Sequence, residues 1–147
     1  YGLIGAGVLW RKGYGLVTLA PLGFLVLTVV EVACKLFLEQ PPTPEELFRP
    51  LSYPFIGVNL PGSFPSGHGM RSAFLGVFLA GLAWPSGSWG GRAAAGGFMA
   101  FSLLLASSRI YLGVHWASDV VGGYLLGSAG ALVAARLVRS ADPGRLH

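Results

Sequence analysis

The chain has 147 residues, of which 53% are hydrophobic and only 11% charged, with a formal net charge of +4. An ordinary soluble domain carries roughly 25% charged residues, so water is excluded as the solvent for most of this surface, and the length suits a single domain. The ten basic residues are scattered, without the basic runs and interleaved aromatics that nucleic-acid binding needs, so no nucleic-acid partner is expected.

Residues 1–10 read as the tail of an earlier helix, closed by the basic pair Arg11 and Lys12. The chain opens at Tyr1 inside an apolar run, with neither an initiator Met nor a signal peptide, and is expected to lack upstream sequence. Crossing a bilayer takes about 20 mostly apolar residues in helix. Four segments approach that length: 14–38, uncharged until Glu31, then 67–84, 92–112 and 117–138. Cys34 stands alone in the first, so no disulfide is expected and a buried, inert thiol is the simplest reading. The connection 39–66 carries seven prolines and leads into Pro65-Ser66-Gly67-His68, whereas 85–91 is a short polar turn. Small-residue spacings such as Gly76–Ala80 and Gly123–Gly127 suit close helix packing in lipid. The expected fold is all-α: one membrane-embedded domain over residues 1–147, a polytopic transmembrane bundle of four full spans plus an N-terminal stub.

With four spans, the segment before Tyr14, the 85–92 turn and the C-terminal tail share one face. That face holds Arg11, Lys12, Arg92, Arg136, Arg139 and Arg145, six of the ten basic residues, and is expected to be cytoplasmic. Lys35, Arg49, Arg71 and Arg109 fall at or near the opposite side, together with His68, His115 and Asp119. Cations and histidines gathered at a membrane boundary point to a bound partner.

Ser108-Arg109-x5-His115-x3-Asp119 carries the strongest chemistry. His115 and Asp119 are four apart and share a helix face. A carboxylate at one imidazole nitrogen fixes the tautomer and frees the other nitrogen to attack. Arg109 closes the preceding helix, where its planar fork suits two phosphate oxygens. At Pro65-Ser66-Gly67-His68, a tight entry exposes helix amides that favour an anion. Ser66 is placed to cap that helix or to donate to phosphate, and His68 to act as general acid. Arg71 lies one turn further on. Lys35 and Arg49 add the positive charge that phosphoryl transfer needs. Glu31 and Lys35 have the spacing of an intrahelical ion pair. Trp84, Trp89 and Trp116 read as interface anchors at span ends, and His147 at the terminus is assigned no role. Two histidines without thiolates or an HExxH spacing do not make a zinc site, and no metal is expected.

These residues resemble the type 2 phosphatidic acid phosphatase family, marked by Lys-x6-Arg-Pro, Pro-Ser-Gly-His and Ser-Arg-x5-His-x3-Asp. The second and third motifs are complete, at Pro65–His68 and Ser108–Asp119. The first departs: thirteen residues separate Lys35 from Arg49-Pro50, and Pro42 stands at the expected arginine position. Either the loop carries an insertion, or Arg71 compensates for Arg49. The resemblance implies that the first one to two helices are absent. It also implies a cofactor-free phosphatase acting on a lipid phosphomonoester or diphosphate. His115 would be the nucleophile, Asp119 its orienter and His68 the acid, with Lys35, Arg109, Ser66, Gly67 and Arg49 or Arg71 on the phosphate. Phosphatidic acid, phosphatidylglycerol phosphate and polyprenyl diphosphate all fit as substrates. The expected location is a bacterial cytoplasmic membrane, with the site on the periplasmic or extracellular face.

Two other readings use the same residues. Bound vanadate would make a haloperoxidase, against which stand four membrane spans and no large soluble helical domain. A non-catalytic lipid-phosphate binding or transport module is the other, against which stand intact His68, His115 and Asp119.

Overall fold

The computed structural model describes residues 20–49 and 62–141. The expected N-terminal stub, Arg11 and Lys12, Pro50 of the displaced Arg-Pro pair, Arg145 and His147 lie outside these residues. Every regular element described is helical: α1 (Ala20–Phe37), α2 (Gly67–Ala83), α3 (Trp89–Tyr111) and α4 (Ala117–Ala141), with short 3-10 turns at Glu45–Leu47 and Trp84–Ser86.

The boundaries follow from local chemistry. Leu38 N–H still donates to Cys34 O at 2.8 Å, but Pro41 and Pro42 then end the run, having no amide hydrogen to give. Ser66 caps α2 in an extended conformation, its Oγ accepting from Gly69 N. Gly87, with φ of 64°, reverses the chain after α2. Ser88 then caps α3 by accepting from Gly91 N at 3.0 Å, so α3 begins three residues before the expected start at Arg92.

Helix α3 closes on Gly113. Gly113 N donates to Ile110 O at 3.0 Å and Val114 N to Arg109 O at 3.2 Å, the paired bonds of a Schellman ending. Gly113 has φ of 75°, a conformation L side chains rarely adopt. The reversal folds the chain immediately after Arg109 and delivers His115 into the α3–α4 connection.

Helix α2 is the centre of the bundle, packed along both α3 and α4, with α1 against α2 and α4. Leu27, Met70, Phe74, Phe78 and Ala131 form its buried core. Phe74 stacks on Phe78 with centroids 5.9 Å apart and meets Phe24 edge-on at 6.3 Å. Close approach of α4 to α2 depends on the Gly123–Gly127 pair: a Cβ at Gly123 would lie 2.5 Å from Ser66 O, and one at Gly127 would collide with Met70 O. Gly76 does the same against Ser102 of α3. Ser102 and Tyr124 hydroxyls bond at 2.9 Å inside the bundle.

The outer surface is apolar. Leu104 is 70% exposed and Leu125 65%, with Leu25, Val29, Phe101 and Val121 similarly open. Trp89–Tyr111 and Ala117–Leu137 are long and apolar enough to cross a membrane, and only 17% and 22% of those windows is buried, unlike core helices of a soluble globule. Among the described residues two helices meet that test rather than the four full spans expected: α2 has 17 residues, and α1 is described only from Ala20.

Candidate active site

The antiparallel course sets the site's location before any side chain is considered. Helices α1 and α3 end, and α2 and α4 begin, at one end of the bundle. Lys35, Arg109, His68 and His115, from four places in the sequence, therefore meet there.

Asp119 is fully buried, with 0% exposure. It occupies the first turn of α4, where a carboxylate is favoured by the helix N-terminus. Its Oδ2 accepts from the backbone N–H of Trp116 at 3.1 Å, the bond an acidic residue makes back to the residue preceding a helix. The same oxygen faces His115 Nδ1 at 3.3 Å. With Nδ1–H directed at a carboxylate, Nε2 retains the lone pair. Burial, the largest influence, pushes His115 below its ordinary protonation range. The hydrogen bond and charge of Asp119 pull it up, while Lys35 and Arg109 add to the lowering. The imidazole is therefore neutral near pH 7, the form that can attack.

Ser66 is fully buried, and its N–H donates to the backbone carbonyl of Asp119 at 2.9 Å. This bond ties the Pro-Ser-Gly-His turn to the His–Asp pair. His68, exposed at the start of α2, lies within electrostatic range of Arg109, Arg71, His115 and Glu31. Arg109 Nε is buried without a hydrogen-bond partner among the described residues, as is Asp119 Oδ1. A guanidinium with an unused, desolvated donor beside two histidines is suited to an anion.

The remaining predicted cations divide. Lys35 Nζ donates to Glu31 Oε1 at 2.8 Å, the local pair its spacing predicts. Arg71 reaches the same carboxylate from α2, 2.5 Å from Oε2. Arg49 is placed differently: its guanidinium lies 4.2 Å over the exposed Tyr111 ring, and its N–H donates to Leu112 O at 3.2 Å. It braces the turn that carries His115. Gly67 is buried against Glu31. Trp116, expected as an interface anchor, is exposed at the start of α4 and donates Nε1–H to Pro41 O at 3.0 Å, fastening the long loop there. Ser63 fixes the other end of that loop to Gln40 O and Pro41 O. Trp84 and Trp89 remain exposed at the opposite end.

Glu31 is the residue whose reach the sequence concealed. Its spacing to Lys35 is visible, but its contact with Arg71, forty positions away, is made only by packing α1 on α2.

A helical bundle with a histidine–carboxylate pair facing a capped helix entry fits the family that the two complete motifs resemble. The chain belongs to the PAP2 superfamily, whose family model matches residues 15–142. Over 84 residues it is 38% identical to the Escherichia coli (strain K12) protein named Putative undecaprenyl-diphosphatase YbjG. That match takes in 57% of this chain and spans 39% of the relative's length. No solved structure matches the chain.

Proposed function

We propose that this chain carries the catalytic site of a membrane lipid phosphatase that transfers the phosphoryl group through His115. The observation that carries this reading is the His115–Asp119 pair, with Nδ1 3.3 Å from a fully buried carboxylate and Lys35 and Arg109 within electrostatic range.

His115 Nε2 attacks phosphorus while Asp119 steadies the imidazolium that develops. His68 gives a proton to the departing oxygen, which leaves as an alcohol or a phosphate monoester. Water then attacks the phosphohistidine, with His68 accepting its proton, and inorganic phosphate departs. Lys35, Arg109, the Ser66 hydroxyl and the Gly67 amide hold the equatorial oxygens, whose spread charge is where most of the catalysis lies. Arg49 or Arg71 completes that set. The chemistry needs no metal, because cationic side chains supply the charge.

The substrate is an amphiphile, since the site lies where helices emerge from an apolar exterior. A polyprenyl diphosphate is favoured among the candidates by the likeness to the E. coli relative. Four spans in a bacterial cytoplasmic membrane, with the site on the periplasmic face, fit the distribution of basic residues. The test is phosphate release by the full-length protein from a panel of phosphatidic acid, phosphatidylglycerol phosphate and polyprenyl diphosphate, with EDTA present. Release that disappears in His115→Ala is expected; full activity in that variant overturns the mechanism.

A further inference from the structure

Glu31 lies within the apolar helix α1, where an ionised carboxylate is costly unless it is paired. It is 6% exposed and has two cationic partners. Lys35, one turn on, holds Oε1, and Arg71 from α2 holds Oε2. The carboxylate also abuts the Pro-Ser-Gly-His turn: a Cβ at Gly67 would collide with Oε1 and come within 2.6 Å of Arg71 Nη1. Both cations lie within electrostatic range of the histidines, Lys35 of His115 and Arg71 of His68.

The first motif leaves a gap in this chain. Pro42 occupies the position where the pattern has an arginine, and the Arg49 guanidinium lies over the exposed Tyr111 ring, its backbone N–H held by Leu112 O. Arg71 shares a carboxylate with Lys35, so it stands beside the first-motif lysine in space although it follows the second motif in sequence.

We propose that Glu31 is a positioning residue that joins Lys35 and Arg71 into one two-cation clamp for the phosphoryl group, with Arg71 serving in place of the first-motif arginine. The proposal rests on the phosphatase reading above. Glu31 engages one nitrogen of each cation, which leaves their other N–H groups for phosphate oxygens. It also offsets the repulsion of two neighbouring cations before substrate arrives. Gly67 is required here on steric grounds, because any side chain would displace the carboxylate.

The experiment measures kcat and KM of the full-length protein in detergent micelles with polyprenyl diphosphate, together with thermal midpoints. Glu31→Gln and Arg71→Ala are each expected to raise KM about tenfold, the worth of one charge-assisted contact, with a smaller change in kcat. The double variant should be little worse than either single one, because both break the same clamp. Added guanidinium should restore Arg71→Ala but not Glu31→Gln, a rescue that a purely structural role does not give. If Glu31→Gln fails to fold, Glu31→Asp and the guanidinium rescue carry the test. An unchanged KM in Arg71→Ala, or fully additive effects, overturns the clamp when His115→Ala is inactive. Turnover in His115→Ala would instead overturn phosphoryl transfer through His115, the reading on which the clamp rests.

Discussion

A single oxygen of Asp119 serves both the backbone and His115. Oδ2 accepts the Trp116 N–H at 3.1 Å and lies 3.3 Å from His115 Nδ1. The carboxylate is thus fixed by the start of its own helix before it orients the imidazole. A mobile acid could not hold one tautomer, whereas one anchored to a helix terminus can.

Asp119→Asn should retain the fold, since an amide oxygen can still cap Trp116 N–H, yet lose the negative charge that steadies the imidazolium. A fall in kcat of about 10²–10⁴-fold is expected, the range for a disabled acid–base partner. Steady-state phosphate release beside an unchanged melting curve checks it. A kcat within a factor of about two of wild type would mean that Asp119 only caps the helix.

The pH profile follows from the neutral His115. Protonation removes the lone pair, and burial sets the protonation range below the ordinary value of 6.5. The kcat/KM profile should therefore fall as pH drops below that value, and fall again on the alkaline side as His68, the proton donor to the leaving oxygen, loses its proton. Asp119 favours the charged form, so Asp119→Asn should move this acid limb to still lower pH while lowering the plateau. An acid limb above 6.5 that ignores Asp119 would assign the titration to another group.

Packing of α2 on α4 can be tested at Gly127. A valine there meets the backbone carbonyl of Met70, which cannot rotate away. The cost should be about 3 kcal/mol, the upper part of the overpacking range, read as a lowered thermal midpoint. Gly97→Ala is the control: a Cβ at Gly97 meets nothing within 4 Å, and the change should stabilise α3 by about 0.5–1 kcal/mol.

Gly113→Ala tests the turn that delivers His115. The positive φ alone costs about 1–2 kcal/mol for an L residue, and the new Cβ also strikes the Leu47 carbonyl. Relief requires the α3–α4 connection to shift, and His115 with it. A displacement of about 1 Å at a reacting group costs about a hundredfold in rate, so activity should fall further than stability. Equal and small losses in both would show that His115 is positioned independently of Gly113.

Much of this site was legible because its elements are local. Ser66 caps, Gly113 reverses, and His115 and Asp119 stand one helical turn apart; each relation is fixed by a handful of consecutive residues. The helices were legible too, since long apolar runs between prolines and glycines leave few alternatives. Their edges were not, as at α3, where Ser88 rather than Arg92 sets the start. Nor was the fate of the cations. Arg49 and Arg71 are equivalent as charges, and composition cannot say which one shares Glu31 with Lys35.

The sequence by itself determined the helical bundle, the two complete motifs and the His115–Asp119 pairing, because each rests on spacing within a turn or two of helix. Tertiary structure alone decided that Glu31 binds Arg71 as well as Lys35, that Arg49 lies on Tyr111, and that Ser66 N–H reaches Asp119 O. Those contacts join residues up to 62 positions apart. The Glu31–Arg71 and Ser66–Asp119 contacts exist because glycines at 67, 123 and 127 let α2 approach its neighbours closely enough for backbone and buried charge to meet.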